Sequence, residues 1–178
     1  MGACSVSARD LGIIIFTTIL AFCALYAPQP LLPALAEELS VGSTRVSLLI
    51  TLTLLPLGLA PLVYGFVLEA VPARTMLRLS TLGLALSEIP FLVADSFPPL
   101  AAARLVQGLL LPAMLTALMT YCSSMVATDQ VRRVIGIYVA STILGGFLGR
   151  AASGVVADLF GWRAPFALWM LGLLMAAA

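Results

Sequence analysis

The stretch GVVADLFGWR at residues 154–163 repeats the pattern of GFVLEAVPAR at residues 65–74: glycine, any residue, valine, any residue, an acid, four residues, then arginine. Each copy closes a long apolar run, and three apolar runs separate the end of the first copy from the end of the second. If every run crosses a membrane, an odd number of crossings puts the two copies at opposite faces. The repeating unit is then three helices, and its second copy is inverted in the membrane.

The apolar runs carry that reading. A bilayer core takes roughly 20 apolar residues per helix. Uncharged runs of about that length occupy 11–36, 46–68 and 105–128. Three more carry an isolated charge or are shorter: 79–94 around Glu88, 134–157 around Arg150, and 164–178. The connections hold turn and cap chemistry, as in EELSVGSTR, EAVPARTM, ADSFPP, VATDQVRR and ADLFGWR. The expected fold is all-α, with six transmembrane helices forming one domain over residues 1–178. Residues 11–94 make the first three-helix repeat and 98–178 the second. Arginine placement orients it: with the N-terminus inside, Arg9, Arg74, Arg78, Arg132 and Arg133 are cytoplasmic, and Arg45 and Arg163 are outside. Both termini are then cytoplasmic, in an inner or plasma membrane. A cleaved signal peptide is the other reading of Arg9 and the apolar run behind it. That run continues through APQPLLPAL into an acidic pair with no convincing cleavage site.

Composition agrees and excludes much else. The 178 residues are 62% hydrophobic and 10% charged, where a soluble domain is about a quarter charged. All the basic residues are arginine, and histidine is absent. A membrane serine protease would need a histidine and an aspartyl protease a pair of intramembrane aspartates, so no enzyme is expected. Cys4, Cys23 and Cys122 are widely spaced and read as free thiols, without disulfide or metal. No cofactor or metal is implied. A net charge of +1 gives nucleic acid no purchase, and no phosphate-binding G-x-x-x-x-G-K-[ST] loop supports ATP-driven transport.

Three charges fall inside the runs. Arg150 lies eight residues before Asp158, Arg104 about six from the outer end of its helix, and Glu88 seven before Asp95. At about 1.5 Å per residue all three occupy one layer, roughly 10 Å below the outer boundary. A charge at that depth faces a partner or a water-filled cavity. Glu88 is expected to pair with one arginine, as a structural ion pair or a proton-carrying group, leaving the other arginine to line a substrate route. Snorkelling of an arginine toward the outer headgroups is the alternative. Gly145 and Gly149, four apart, let another helix approach closely.

In the first helix, Pro28, Pro30 and Pro33 each remove a backbone donor and disturb the carbonyls of Ala24, Tyr26 and Gln29. Such breaks persist in membranes where the freed groups are buried in protein or line a cavity. Tyr26 and Gln29 are thus candidate binding residues, with Gln29 alternatively repairing backbone hydrogen bonds. Trp162 and Trp169 are expected at or near the interface.

The whole chain resembles the N-terminal six-helix half of a major facilitator superfamily transporter, in the branch of bacterial efflux permeases with QPLLP in the first helix. The loop after the second helix is similar to G-x-x-x-D-R-x-G-R-[RK] through Gly65, Glu69 and Arg74, with Ala70, Pro72 and Ala73 departing from it. Gly154, Asp158, Gly161 and Arg163 form its better-kept outer copy. ARLVQGLLLPA resembles R-x-x-Q-G through Arg104, Gln107 and Gly108. The fifth helix resembles the drug:proton antiporter signature G-x8-G-x3-G-P-x2-G-G through Gly136, Gly145, Gly149 and Gly154, with Arg150 in the proline's place and Ser153 in a glycine's.

The resemblance implies a cavity lined by the first and fourth helices, pairing Tyr26 and Gln29 with Arg104 and Gln107. It implies proton coupling at Arg104, a cytoplasmic latch in the first loop, and a fifth-helix glycine face packed on a second half. The expected partners are the bilayer, a small-molecule substrate, and a second half supplied by a homodimer or another chain. The function so implied is proton-coupled efflux of a small molecule by secondary transport. The alternative is a truncated or accessory membrane protein without transport activity of its own.

Overall fold

A computed structural model describes residues 8–64, 71–125 and 131–177, with side chains over 11–64, 71–120 and 131–177. The described residues include eight helical segments: α1 (Ala8–Tyr26), α2 (Pro28–Glu38), α3 (Ser43–Leu59), α4 (Ala73–Leu86), α5 (Ile89–Val93), α6 (Phe97–Met125), α7 (Val131–Phe160) and α8 (Ala164–Ala177). They assemble into five stretches long and apolar enough to cross a membrane: Leu11–Glu38, Ser43–Tyr64, Ala73–Val93, Phe97–Thr120 and Val131–Phe160. The chain is a multi-pass membrane protein. The sixth expected helix is present as α8, an apolar segment of 14 residues. At about 1.5 Å per residue it is shorter than a bilayer core of about 30 Å.

Proline sets the two interruptions within spans. Ala27 separates α1 from α2 and keeps helical dihedrals, its N–H donating to the Cys23 carbonyl at 2.9 Å. Pro28 takes the first position of α2, where a missing donor costs little. In the third span the Pro90 ring cannot donate to Leu86, and the helix breaks at Ser87 and Glu88 before resuming as α5. Hydroxyls inside the spans turn back onto their own helices. Thr18 donates to Ile14, Thr81 to Leu77 and Ser141 to Ile137, so these polar groups need nothing from lipid.

The first span is the centre of the core, with Ala21, Cys23, Ala24, Leu25, Ala27, Leu31 and Leu35 all buried. Against it lies α7, seated through glycine. A Cβ on Gly145 would stand 2.6 Å from the Ile19 carbonyl oxygen, and one on Gly149 the same distance from Cys23 Cα. The register advances together along both helices, from Ile19 against Gly145 to Pro30 against Gly154, so they run the same way through the membrane. This corrects the expected use of the glycine face: Gly145 and Gly149 pack within the chain, on the first span. Gly154 makes only an ordinary contact with Pro30, and Gly136 has nothing near it. A second glycine crossing joins α6 to α3, where a Cβ on Gly108 would meet the Thr53 carbonyl at 2.4 Å.

The segment α8 closes the bundle against the first and third spans. Phe166 stacks on Phe91 with centroids 4.3 Å apart, and Gly172 admits Leu20. Trp169, expected at or near the interface, packs inward between helices. It is buried, and its indole N–H donates to Ser153 Oγ at 2.9 Å, tying α8 to α7. A buried indole needs an acceptor, and Ser153, in a glycine's place in the antiporter signature, supplies one.

Candidate functional site

The break in the third span places Glu88 among protein rather than lipid. Ser87 Oγ donates to the Leu84 carbonyl at 2.6 Å, and the Glu88 N–H reaches back to Ala85 at 3.2 Å, so the turn tightens just where the carboxyl leaves the helix. Glu88 is buried. Its Oε1 accepts from Gln107 Nε2 at 3.0 Å, while Oε2 has no hydrogen-bond partner among the described residues.

Arg104 is buried to 1% exposure and spreads its guanidinium across three helices. Nε donates to the Leu49 carbonyl on α3 at 3.1 Å, Nη2 to the Leu25 carbonyl on α1 at 3.0 Å, and Nη1 to Gln107 Oε1 on its own α6 at 2.6 Å. The Gln107 amide therefore stands between cation and carboxylate, oxygen toward Arg104 and nitrogen toward Glu88 (the only orientation in which both bonds form). In place of a direct ion pair the structure has a relay, Arg104–Gln107–Glu88, linking four spans. Three residues of spacing put Arg104 and Gln107 on one helix face, so sequence could find that bond. Nothing in the sequence singles out the Leu25 and Leu49 carbonyls.

Arg150 sits on the other side of the same break in the first span. Its Nε donates to Gln29 Oε1 at 2.6 Å, its Nη1 to the Gly146 carbonyl at 3.0 Å, and its guanidinium carbon lies 3.9 Å from the centroid of the Tyr26 ring. The group is exposed, whereas Arg104 is buried. The bond to Gly146 runs back toward the N-terminus of α7, away from the Asp158 end. Snorkelling toward that end is not what this side chain does. The predicted route residues thus divide in two. Tyr26 and Gln29 belong with Arg150, and Gln107 belongs with Arg104 and Glu88.

Of the loop motifs, Gly65 and Glu69 lie outside the described residues, and Arg74 opens α4. In the outer copy Arg163 does not pair with Asp158 among the described residues. Its Nη2 meets Asp95 Oδ1 at 2.6 Å and the Ala94 carbonyl at 3.3 Å, and its Nη1 lies 3.6 Å from Glu38 Oε1. The guanidinium also covers the Trp162 ring at 4.3 Å. One arginine thereby gathers the chain ends of the first, third and fifth spans at a single face. Its partners are half or more exposed, so solvent screens the attraction. Arg163→Gln is expected to lower stability by less than about 1 kcal/mol, measured by thermal unfolding in detergent.

No group of histidine, cysteine, aspartate or glutamate able to hold a metal occurs among the described residues.

The model of the Major Facilitator Superfamily matches residues 14–178. Inner membrane transport protein YnfM of Escherichia coli (strain K12) is 30% identical over 148 residues, covering 82% of this chain and 35% of that protein. The MFS-type transporter YybF of Bacillus subtilis (strain 168) is 25% identical over 142 residues, covering 80% of this chain and 35% of its own length. The chain spans about a third of the length of the curated relatives it matches.

Proposed function

Because the chain belongs to the Major Facilitator Superfamily, we propose that it forms one six-helix half of a secondary transporter in the inner membrane, with both termini cytoplasmic. In this reading residues 11–94 and 98–178 are its two inverted repeats. A second half, from another copy of the chain or from further helices, completes the pathway, and a small molecule moves outward against protons. The half acts as a carrier and not as an enzyme.

The observation that carries the reading is an exposed arginine held far from a helix end. Arg150 is fixed by Gln29, Gly146 and Tyr26 beside the apolar side chains of Ile143 and Phe147. Lipid does not solvate such a charge, whereas a water-filled route between two halves does. Burial follows the proposed repeat. Of these four, the first and fourth spans are the more buried and the second and fifth the less. The two glycine crossings join the first span to the fifth and the fourth to the second, pairs that exchange under the same pseudo-symmetry. The arginines sort by face as well: Arg163 lies at one face with Glu38 and Asp95, and Arg78, Arg132 and Arg133 are exposed toward the other.

Glu88 is the proposed proton carrier. Its unpartnered oxygen and its link through Gln107 to Arg104 mean that gain or loss of a proton changes the charge at a junction of four spans.

Native mass spectrometry in lipid nanodiscs, followed by pH-gradient-driven proton flux in proteoliposomes, tests the reading. A dimer or stable complex with proton flux that Glu88→Gln abolishes is the expected result. A monomer that moves no protons would instead make the chain an accessory membrane protein.

A further inference from the structure

We propose that Arg150, Gln29 and Tyr26 form a binding site for the carboxylate of an apolar organic anion. The proposal rests on the transport reading for its biological meaning and on the geometry of these three side chains for its chemistry.

Arg150 has five N–H donors, and its described hydrogen bonds employ Nε toward Gln29 and Nη1 toward Gly146. Those two bonds and the stack on Tyr26 fix the plane of the guanidinium, and Nη2 makes no described hydrogen bond on a residue that is exposed. Gln29 spends its amide oxygen on Arg150, so the part it offers to a ligand is its NH2. Both groups therefore present donors, and Tyr26 adds a hydroxyl. A ligand that suits them is rich in acceptors and negatively charged.

No acid among the described residues neutralises the site. Among the described residues Arg150 forms no ion pair, whereas Arg163 forms two. Glu88 is committed to Gln107. Asp158 lies eight residues along α7 and Glu37 eight beyond Gln29, each roughly 12 Å away along its helix. The surroundings suit an apolar body behind the carboxylate. Phe147, one turn from Arg150, is 66% exposed, and Phe22 lies against Tyr26 with centroids 6.3 Å apart.

An oxyanion of this kind could come from a soluble molecule or from a lipid headgroup, and the held-back posture of Arg150 favours the soluble one. The test is calorimetric titration of the full chain in phosphatidylcholine nanodiscs with benzoate, and with benzyl alcohol as its neutral counterpart, against empty nanodiscs. Benzoate is expected to bind about tenfold more tightly than benzyl alcohol, as a charge-assisted hydrogen bond implies. Arg150→Gln should bring benzoate to the alcohol's level. Arg150→Lys keeps the charge without the planar fork and should fall between them.

The proposal is overturned if wild-type protein does not distinguish the two ligands, or if Arg150→Gln leaves benzoate binding intact. It is also overturned if phosphatidylglycerol in the nanodisc displaces benzoate, which would assign the site to headgroups. Proton flux separates the two readings: flux without benzoate selectivity sinks the anion site alone, and benzoate binding without flux sinks the transport reading alone.

Discussion

Arg104→Ala is expected to cost the fold about 3–5 kcal/mol, the range for leaving a buried charge uncompensated, read as a loss of stability in a denaturant titration in detergent. The size follows from what is left behind. Gln107 Oε1 loses its donor, the Leu25 and Leu49 carbonyls lose a link between α1 and α3, and Glu88 keeps a buried carboxyl with no cation in reach through Gln107. Arg104→Lys retains a charge but cannot donate in three fixed directions, so it recovers only part of the loss. The decisive comparison is Arg104→Met alone against Arg104→Met with Glu88→Gln. Removing both ends of the relay leaves no isolated charge, and the double variant should be more stable than the single one by about 1 kcal/mol or more. If the two single changes simply add, Gln107 does not couple them.

The same cluster marks what sequence could and could not reveal. Counting residues along each helix put Glu88, Arg104 and Arg150 in one layer, because rise per residue is fixed. Rotation about each helix axis is set by packing, and charge spacing carries no information about it. A step of one residue turns a helix by about 100°. Leu25 consequently points its carbonyl region at Arg104, while Tyr26 and Gln29, three apart, share another face and meet Arg150. The expected grouping of Tyr26 and Gln29 with Arg104 and Gln107 missed that turn.

Breaks fared better than partners. Proline acts on its own backbone, so the interruption after Tyr26 needed no knowledge of neighbours. A pair of glycines four apart announces that some helix comes close without saying which one. Here α1 fills the space, with Ile19 against Gly145 and Cys23 against Gly149. The partner of Trp169 was hidden for the same reason: nothing in the sequence sets Ser153 opposite its indole N–H.

Gly149→Ala is the second large effect, and its sign is the informative part. In a helix interior, alanine is favoured over glycine by about 0.8–1.0 kcal/mol. At Gly149 the added carbon would lie 2.6 Å from Cys23 Cα and 2.8 Å from the Cys23 carbonyl oxygen, and backbone cannot swing aside as a side chain can. Forcing α7 off α1 costs about 1–3 kcal/mol, which exceeds the gain in propensity. Gly145→Ala meets the Ile19 carbonyl and should behave alike.

Gly136→Ala meets nothing within 4 Å and should leave stability unchanged or slightly raised, while Gly154→Ala, near only Pro30, should be close to neutral. One substitution at four positions of one helix thus gives two losses and two non-losses, measured as shifts in thermal unfolding. Separating α7 from α1 also breaks the Cys23 thiol bond to the Gly145 carbonyl and draws Arg150 away from Gln29. Gly149→Ala should therefore weaken benzoate binding although it lies outside the donor set, whereas Gly136→Ala should not. A Gly149→Ala protein as stable as Gly136→Ala would mean that α7 does not rest on α1. The arginine would then have no fixed platform from which to hold an anion.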